Sequence, residues 1–181
     1  MPTLLTRDPF IIVVSLATVR GWDHTIVADR TVRVRIPSKC NPECVYYMEC
    51  IWDKEADTLS FASRQPFAIL PEGKDQIITL VNQLNECLSS RQWWFSEDEG
   101  ITYQFAVGED RKKKVYRPIH QALIHNPTLL HSPERVENFL DEAILQAERA
   151  YGLFSDLCDG KEITAESIRR ALSQQEQKML Q

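Results

Sequence analysis

Along DQIITLVNQLNECLSS the apolar residues Ile77, Val81, Leu84 and Leu88 recur at helical spacing, with Asp75 ahead of them as a cap. A stripe of this kind predicts a helix that buries one face. Trp93 and Phe95, the acidic turn SEDEG and then Ile101, Tyr103, Phe105 and Val107 follow, and this alternation predicts two antiparallel strands. Nearer the start, Asp8-Pro9 reads as a helix N-terminus, because Asp accepts from free amides and proline at the first position sacrifices no hydrogen bond. Gly21 suits the left-handed position past its end. The β-branched run Ile11 to Val14 pulls towards a buried strand, and the capping residues decide for helix.

From Thr25 to Ile36 the period becomes two, with Val32, Val34 and Ile36 on one face and Arg33 and Arg35 on the other, which predicts one half-buried strand. Cys44 to Trp52 and Thr58 to Arg64 supply a second and a third strand across short polar links. Residues Arg111 to His131 carry no clear period. Ser132-Pro133-Glu134 then opens a helix bearing Val136, Phe139, Leu140, Ala143, Ala147, Tyr151 and Phe154, and Thr164 caps a last helix with Ile168 and Leu172. The pattern predicts an α+β fold: a five-stranded antiparallel sheet with helices packed mainly on one face, in the order helix, three strands, helix, two strands, helix. Residues 1–158 form that domain, and 159–181 form a C-terminal helical extension.

The length of 181 residues, with 43% hydrophobic and 26% charged side chains, suits a single ordinary core. A net charge of -5 argues against general attraction to nucleic acid, and Arg111 to Lys114 read as a solvated loop after a strand. Five cysteines, an odd number in a chain that needs no staples, predict reduced thiols and a cytoplasmic location. The apolar run Phe10 to Ala17 is too short for a membrane span and has the wrong flanks for a cleaved signal.

No motif carries chemistry at a diagnostic spacing. Cys40, Cys44 and Cys50 with His24 lack the paired spacing of a zinc site and read as small buried thiols. His120, His125 and His131 do not stack on one helical face and read as loop or cap residues. The six glycines form no phosphate-binding loop, no Gly-x-Ser-x-Gly occurs, and Glu97-Asp98-Glu99 fall in a turn. The expectation is no catalytic residue, no cofactor and no metal.

Gly21-Trp22 at the first helix exit, Leu59-Ser-Phe-Ala-Ser-Arg-Gln-Pro66, Leu84-Asn85, Trp93-Trp94-Phe95 and Asp98-Glu99-Gly100-Ile101-Thr102-Tyr103 together resemble the YbjN-like domain family, which has the type III secretion chaperone-like fold. The resemblance covers residues 8 to 107 and, more loosely, the helix from 132 to 154. It implies binding of other polypeptides without chemistry, often as a homodimer, and some similar cyanobacterial proteins are implicated in assembling microcompartments. Asn85 reads as a buried amide that ties its helix to backbone, because a buried amide must find partners.

A sheet covered by helices on one side leaves its other face to water or to a partner. That face carries Arg33 and Arg35, and either Tyr47 and Glu49 or Tyr46 and Met48 according to register. Trp93 and Trp94 point to opposite sides of their strand. The expected contact residues are Arg33, Arg35, Tyr47 and Trp94, and the expected function is a non-enzymatic chaperone or assembly adaptor for another protein. The rival reading is a small-ligand protein or enzyme with a cavity between sheet and helices, lined by Asn82, Asn85 and His24.

Overall fold

A computed structural model describes residues 8–39, 41–90, 101–125 and 133–171. The chain opens with α1, Pro9–Val19, and its ends show why β-branched residues accept a helix here. The Asp8 carboxylate accepts from the amides of Phe10 at 2.9 Å and Ile11 at 3.4 Å. At the other end Gly21, at φ 68°, donates to Thr18 O, and Trp22 N donates to Ala17 O. These two bonds close the last turn with a glycine in the left-handed region. Ile12, Val13, Leu16 and Ala17 are buried, so tertiary packing outweighs the weak helix propensity of the run. Asp8→Ala should cost about 1 kcal/mol in denaturant unfolding, with Asp8→Asn close to neutral.

The sheet has six antiparallel strands in the order β1-β2-β3-β4-β6-β5. They are β1 Asp23–Ala28, β2 Thr31–Pro37, β3 Val45–Asp53, β4 Thr58–Arg64, β5 Ile101–Asp110 and β6 Val115–Ile124. The helix α2, Lys74–Ser90, links β4 to β5 after a short 3-10 turn at Pro71–Gly73. The helix α3, Pro133–Cys158, follows β6, and a fourth helix, α4, covers 165–171.

The expected five strands are corrected to six, for two local reasons. The single strand expected over Thr25 to Ile36 is a hairpin that reverses at Asp29-Arg30. Arg30 takes φ 54° there, a conformation that glycine or asparagine usually signals. The unpatterned stretch after Arg111 contains β6, entered through a second unflagged turn with Lys114 at φ 52°. Pro118 disguises β6 further, since proline argues against a central strand. It is tolerated at the point where β4 ends, and its carbonyl still accepts from Gln65 N at 2.9 Å. The strand expected at Trp93 and Phe95 lies outside the described residues.

All the described helices that pack on the sheet bury the same face. Val32, Val34 and Ile36 with Tyr46, Met48, Cys50 and Trp52 meet α1 and the first half of α3 in one cluster. Ile77, Leu80, Val81 and Leu84 of α2 meet Phe105, Ala150, Leu153, Phe154 and Ile168 in a second. Along α3 the change from one cluster to the other falls between Ala147 and Ala150, and Gln146, Glu148 and Arg149 are buried around that point.

Candidate functional site

Cross-strand register builds the uncovered face in rows, because directly opposed residues share a side of the sheet. One row runs Asp23, Arg35, Tyr47, Arg64, Ile119, Ala106 across the six strands. The next runs Thr25, Arg33, Glu49, Ala62, Gln121, Gln104. A third, from β2 to β5, runs Thr31, Ile51, Ser60, Leu123, Thr102. The register left open by the sequence is therefore decided. Tyr47 and Glu49 face outwards, while Tyr46 and Met48 are buried under the helices.

Three of the four expected contact residues are placed by this geometry. Arg33 and Arg35 are exposed on β2, and Tyr47 of β3 is 54% exposed. Trp94 lies outside the described residues. Arg33 is paired with Glu49 at 3.1 Å, and Arg35 stands 3.9 Å from Asp23. Such exposed pairs add little stability, and their guanidinium groups remain available to a better partner. Tyr47 lies between Arg35 and Arg64 in its row, so one ring is flanked by two cations.

Sequence reasoning missed Arg64 and the β6 contribution. Arg64 ends β4, and its place beside Tyr47 follows only from the pairing of β3 with β4. On β6 the outward residues Ile119, Gln121 and Leu123 alternate with the buried His120, Ala122 and Ile124. Apolar side chains on both faces erase the period-two signal. Ile119 lies so close over β5 that a Cβ added to Gly108 would meet its Cδ1 at 2.5 Å. Gln104 donates to Gln121 at 2.8 Å. The outer face is thus chemically mixed: guanidinium and phenol on β2 to β4, amide and aliphatic groups on β5 and β6.

The residues proposed for a ligand cavity are not brought together. His24 sits on β1 with Nδ1 3.0 Å from Trp22 O, whereas Asn85 belongs to α2 beside β5, at the opposite edge of the sheet. Asn82 is exposed. Asn85 does tie helix to backbone: its Nδ2 donates to Phe105 O at 2.9 Å and its Oδ1 accepts from Phe105 N at 2.7 Å. A separate open groove of about 500 Å³ lies between α2 and the α3–α4 link, lined by residues such as Asp75, Thr79, Gln83, Leu157 and Ile163.

His120 corrects the loop-or-cap expectation. It is buried on β6, with Nε2 2.9 Å from Gln146 Oε1 and its ring 4.8 Å from that of Phe105. Gln146 spends its own Nε2 on Glu142, which leaves Oε1 to accept from the imidazole N–H. Burial pushes this histidine down to about 4, with the Gln146 bond opposing the shift. His125 is exposed, and His131 lies outside the described residues.

Among the described residues Cys44, Cys50 and His24 do not converge on a metal site, and Cys40 lies outside the described residues. Cys50 is buried in the first cluster, where burial and the nearby Glu49 raise its thiol pKa well above the ordinary value. Cys44 Sγ lies 3.2 Å from the Tyr151 hydroxyl. Among the described residues no three metal-binding side chains gather. The β2–β3 link is instead clipped to α3, where Glu148 accepts from Ser38 Oγ at 3.0 Å and from Lys39 N at 2.9 Å. The basic run Arg111 to Lys114 forms the exposed β5–β6 turn.

Among the described residues no helix is long and apolar enough to cross a membrane. Comparison with protein-family models, curated proteins and solved structures finds no match to this chain.

Proposed function

We propose that this chain is a non-enzymatic protein-binding domain, a chaperone or assembly adaptor that receives another protein on the open face of its sheet. The observation that carries this reading is the row Arg35, Tyr47, Arg64, with Ile51 exposed on the same strand as Tyr47. Tyrosine and arginine are enriched where proteins meet, since each combines a broad apolar surface with a polar tip. A helix-backed sheet also presents these groups from a packed scaffold, so little ordering entropy is lost when a partner arrives. The resemblance to YbjN-like domains and the chaperone-like fold supports the same role. The described cysteines are free thiols, in keeping with a reducing cytoplasmic setting.

The test is crosslinking from native extract with a photoreactive residue at position 51, beside Tyr47 on the same face, followed by mass spectrometry. A partner recovered there should bind Tyr47→Ala about 30-fold or more weakly, the effect of truncating a central aromatic anchor. Arg64→Ala should weaken it too. Recovery of the same proteins in the same yield by wild type and by the Tyr47→Ala, Arg64→Ala double variant would refute the reading.

A further inference from the structure

Charge on the open face is sorted by end. Antiparallel pairing puts the β5–β6 turn, the start of β3 and the end of β4 at one end of the sheet, and the β3–β4 turn at the other. At the first end, residues 109–117 hold five bases and two acids, a sum of +3 in a chain of -5. At the second, Asp53 to Asp57 hold three acids and one base, a sum of -2.

Local carboxylates do not neutralise the basic end. Arg33, one row nearer the acidic end than Arg35, is held by Glu49 at 3.1 Å. Glu109 stands 3.8 Å from Arg111, and Asp110 accepts from Lys113 N at 3.2 Å within its own turn. Among the described residues Arg64, Arg117 and Lys112 to Lys114 have no carboxylate partner. Arg117 shares the open face, because it lies two residues before the outward Ile119 on β6.

Spacing then narrows the partner. Strands lie about 4.8 Å apart, so Arg35 on β2 and Arg64 on β4 leave the sheet about 10 Å apart, with Tyr47 between them. Arg117, on the next strand, carries the line of cations towards the basic turn.

We propose that this end of the face recognises an acidic helical segment of a protein partner, laid across the strands with carboxylates seven residues apart over Arg35 and Arg64. A helix advances about 1.5 Å per residue, so positions i and i+7 stand about 10.5 Å apart, and an apolar residue at i+3 or i+4 falls over Tyr47. An extended segment repeats its face every ~6.6 Å and matches neither the pair nor the ring between them. Each guanidinium offers a carboxylate two parallel N–H donors, and the tyrosine ring offers apolar surface. The acidic β3–β4 turn repels the same segment, which sets where it lands. Single-stranded nucleic acid needs several rings on which to stack, and Tyr47 is the one aromatic side chain among the described outward positions. The inference rests on the open-face reading and adds the chemistry of the partner.

Fluorescence anisotropy on the full chain provides the test, with three probes: a helical peptide bearing glutamates seven residues apart and leucine midway, its glutamine analogue, and a short single-stranded RNA. The glutamate peptide should bind about 10-fold more tightly than the analogue at low salt, and the margin should vanish near 1 M salt, where charges are screened within about 3 Å. Arg64→Glu alters an exposed side chain, so it should keep the wild-type thermal midpoint while weakening the glutamate peptide about 10-fold or more. Lys54→Glu makes the same charge change at the acidic end and should leave binding within about 2-fold, because it lies beyond the screening length. Absent binding, equal affinity for the two peptides, equal effects of the two variants or tighter binding of the RNA overturns the inference. The open-face reading survives that result if the photoreactive residue at position 51 still captures a partner sensitive to Tyr47→Ala, and falls with it if capture fails too.

Discussion

Acidification from pH 6.5 to about 4 should remove about 3 kcal/mol of folding stability through His120 alone. The imidazole sits between β6 and α3, bonded to Gln146 and packed against Phe105 and Tyr103. A cation there would lose its hydration and gain only one amide oxygen. The unfolded chain accepts a proton on this histidine at pH 6.5, whereas the folded chain resists until about 4. Between those values protonation favours the unfolded state. The contribution of neutral His120 is therefore complete above pH 6.5, declines as the pH falls, and is exhausted below about 4. The variant His120→Gln isolates the contribution of this one side chain. Its denaturation midpoint should fall much less on acidification than that of wild type, even if it starts lower. Parallel acid profiles for the two proteins would show that the stability loss arises elsewhere.

Elements marked by caps were legible in the sequence. Asp8-Pro9 and Gly21 fixed both ends of α1 against the β-branched run, because a cap supplies hydrogen bonds that the run cannot withhold. The α2 stripe and the α3 start were equally clear, since Ile77, Leu84, Phe139 and Phe154 recur with the helical repeat and are all buried. What could not be read were reversals made by ordinary residues. Arg30 and Lys114 adopt left-handed backbone without the glycine or asparagine that announces it, so one hairpin was merged and one strand passed unseen.

Of the candidate face, Arg33 and Arg35 were legible because valines and an isoleucine alternate with them. Tyr47 could not be oriented from β3 alone, where apolar and aromatic residues occupy both parities. Arg64 and Ile119 belong to the site only through pairings that no local pattern encodes. Asn85 was legible for the opposite reason. A polar amide inside an apolar stripe needs partners whatever the surrounding topology.

That amide supports the second large effect. Asn85→Leu should cost about 2 to 4 kcal/mol, since it removes two hydrogen bonds and strands a donor and an acceptor of the β5 backbone. Leucine is the better helix former and would gain some apolar contact, so a loss of this size can come only from the orphaned Phe105 groups. Asn82→Leu gives the internal control. It lies three residues earlier on α2 with its side chain exposed, and should shift stability by no more than about 0.5 kcal/mol. Asn85→Leu also frees the outward Phe105 groups of the β5 edge, which should add concentration-dependent association. Urea unfolding at two protein concentrations measures both effects. Equal midpoints for Asn85→Leu and Asn82→Leu would show that the Phe105 backbone finds other partners.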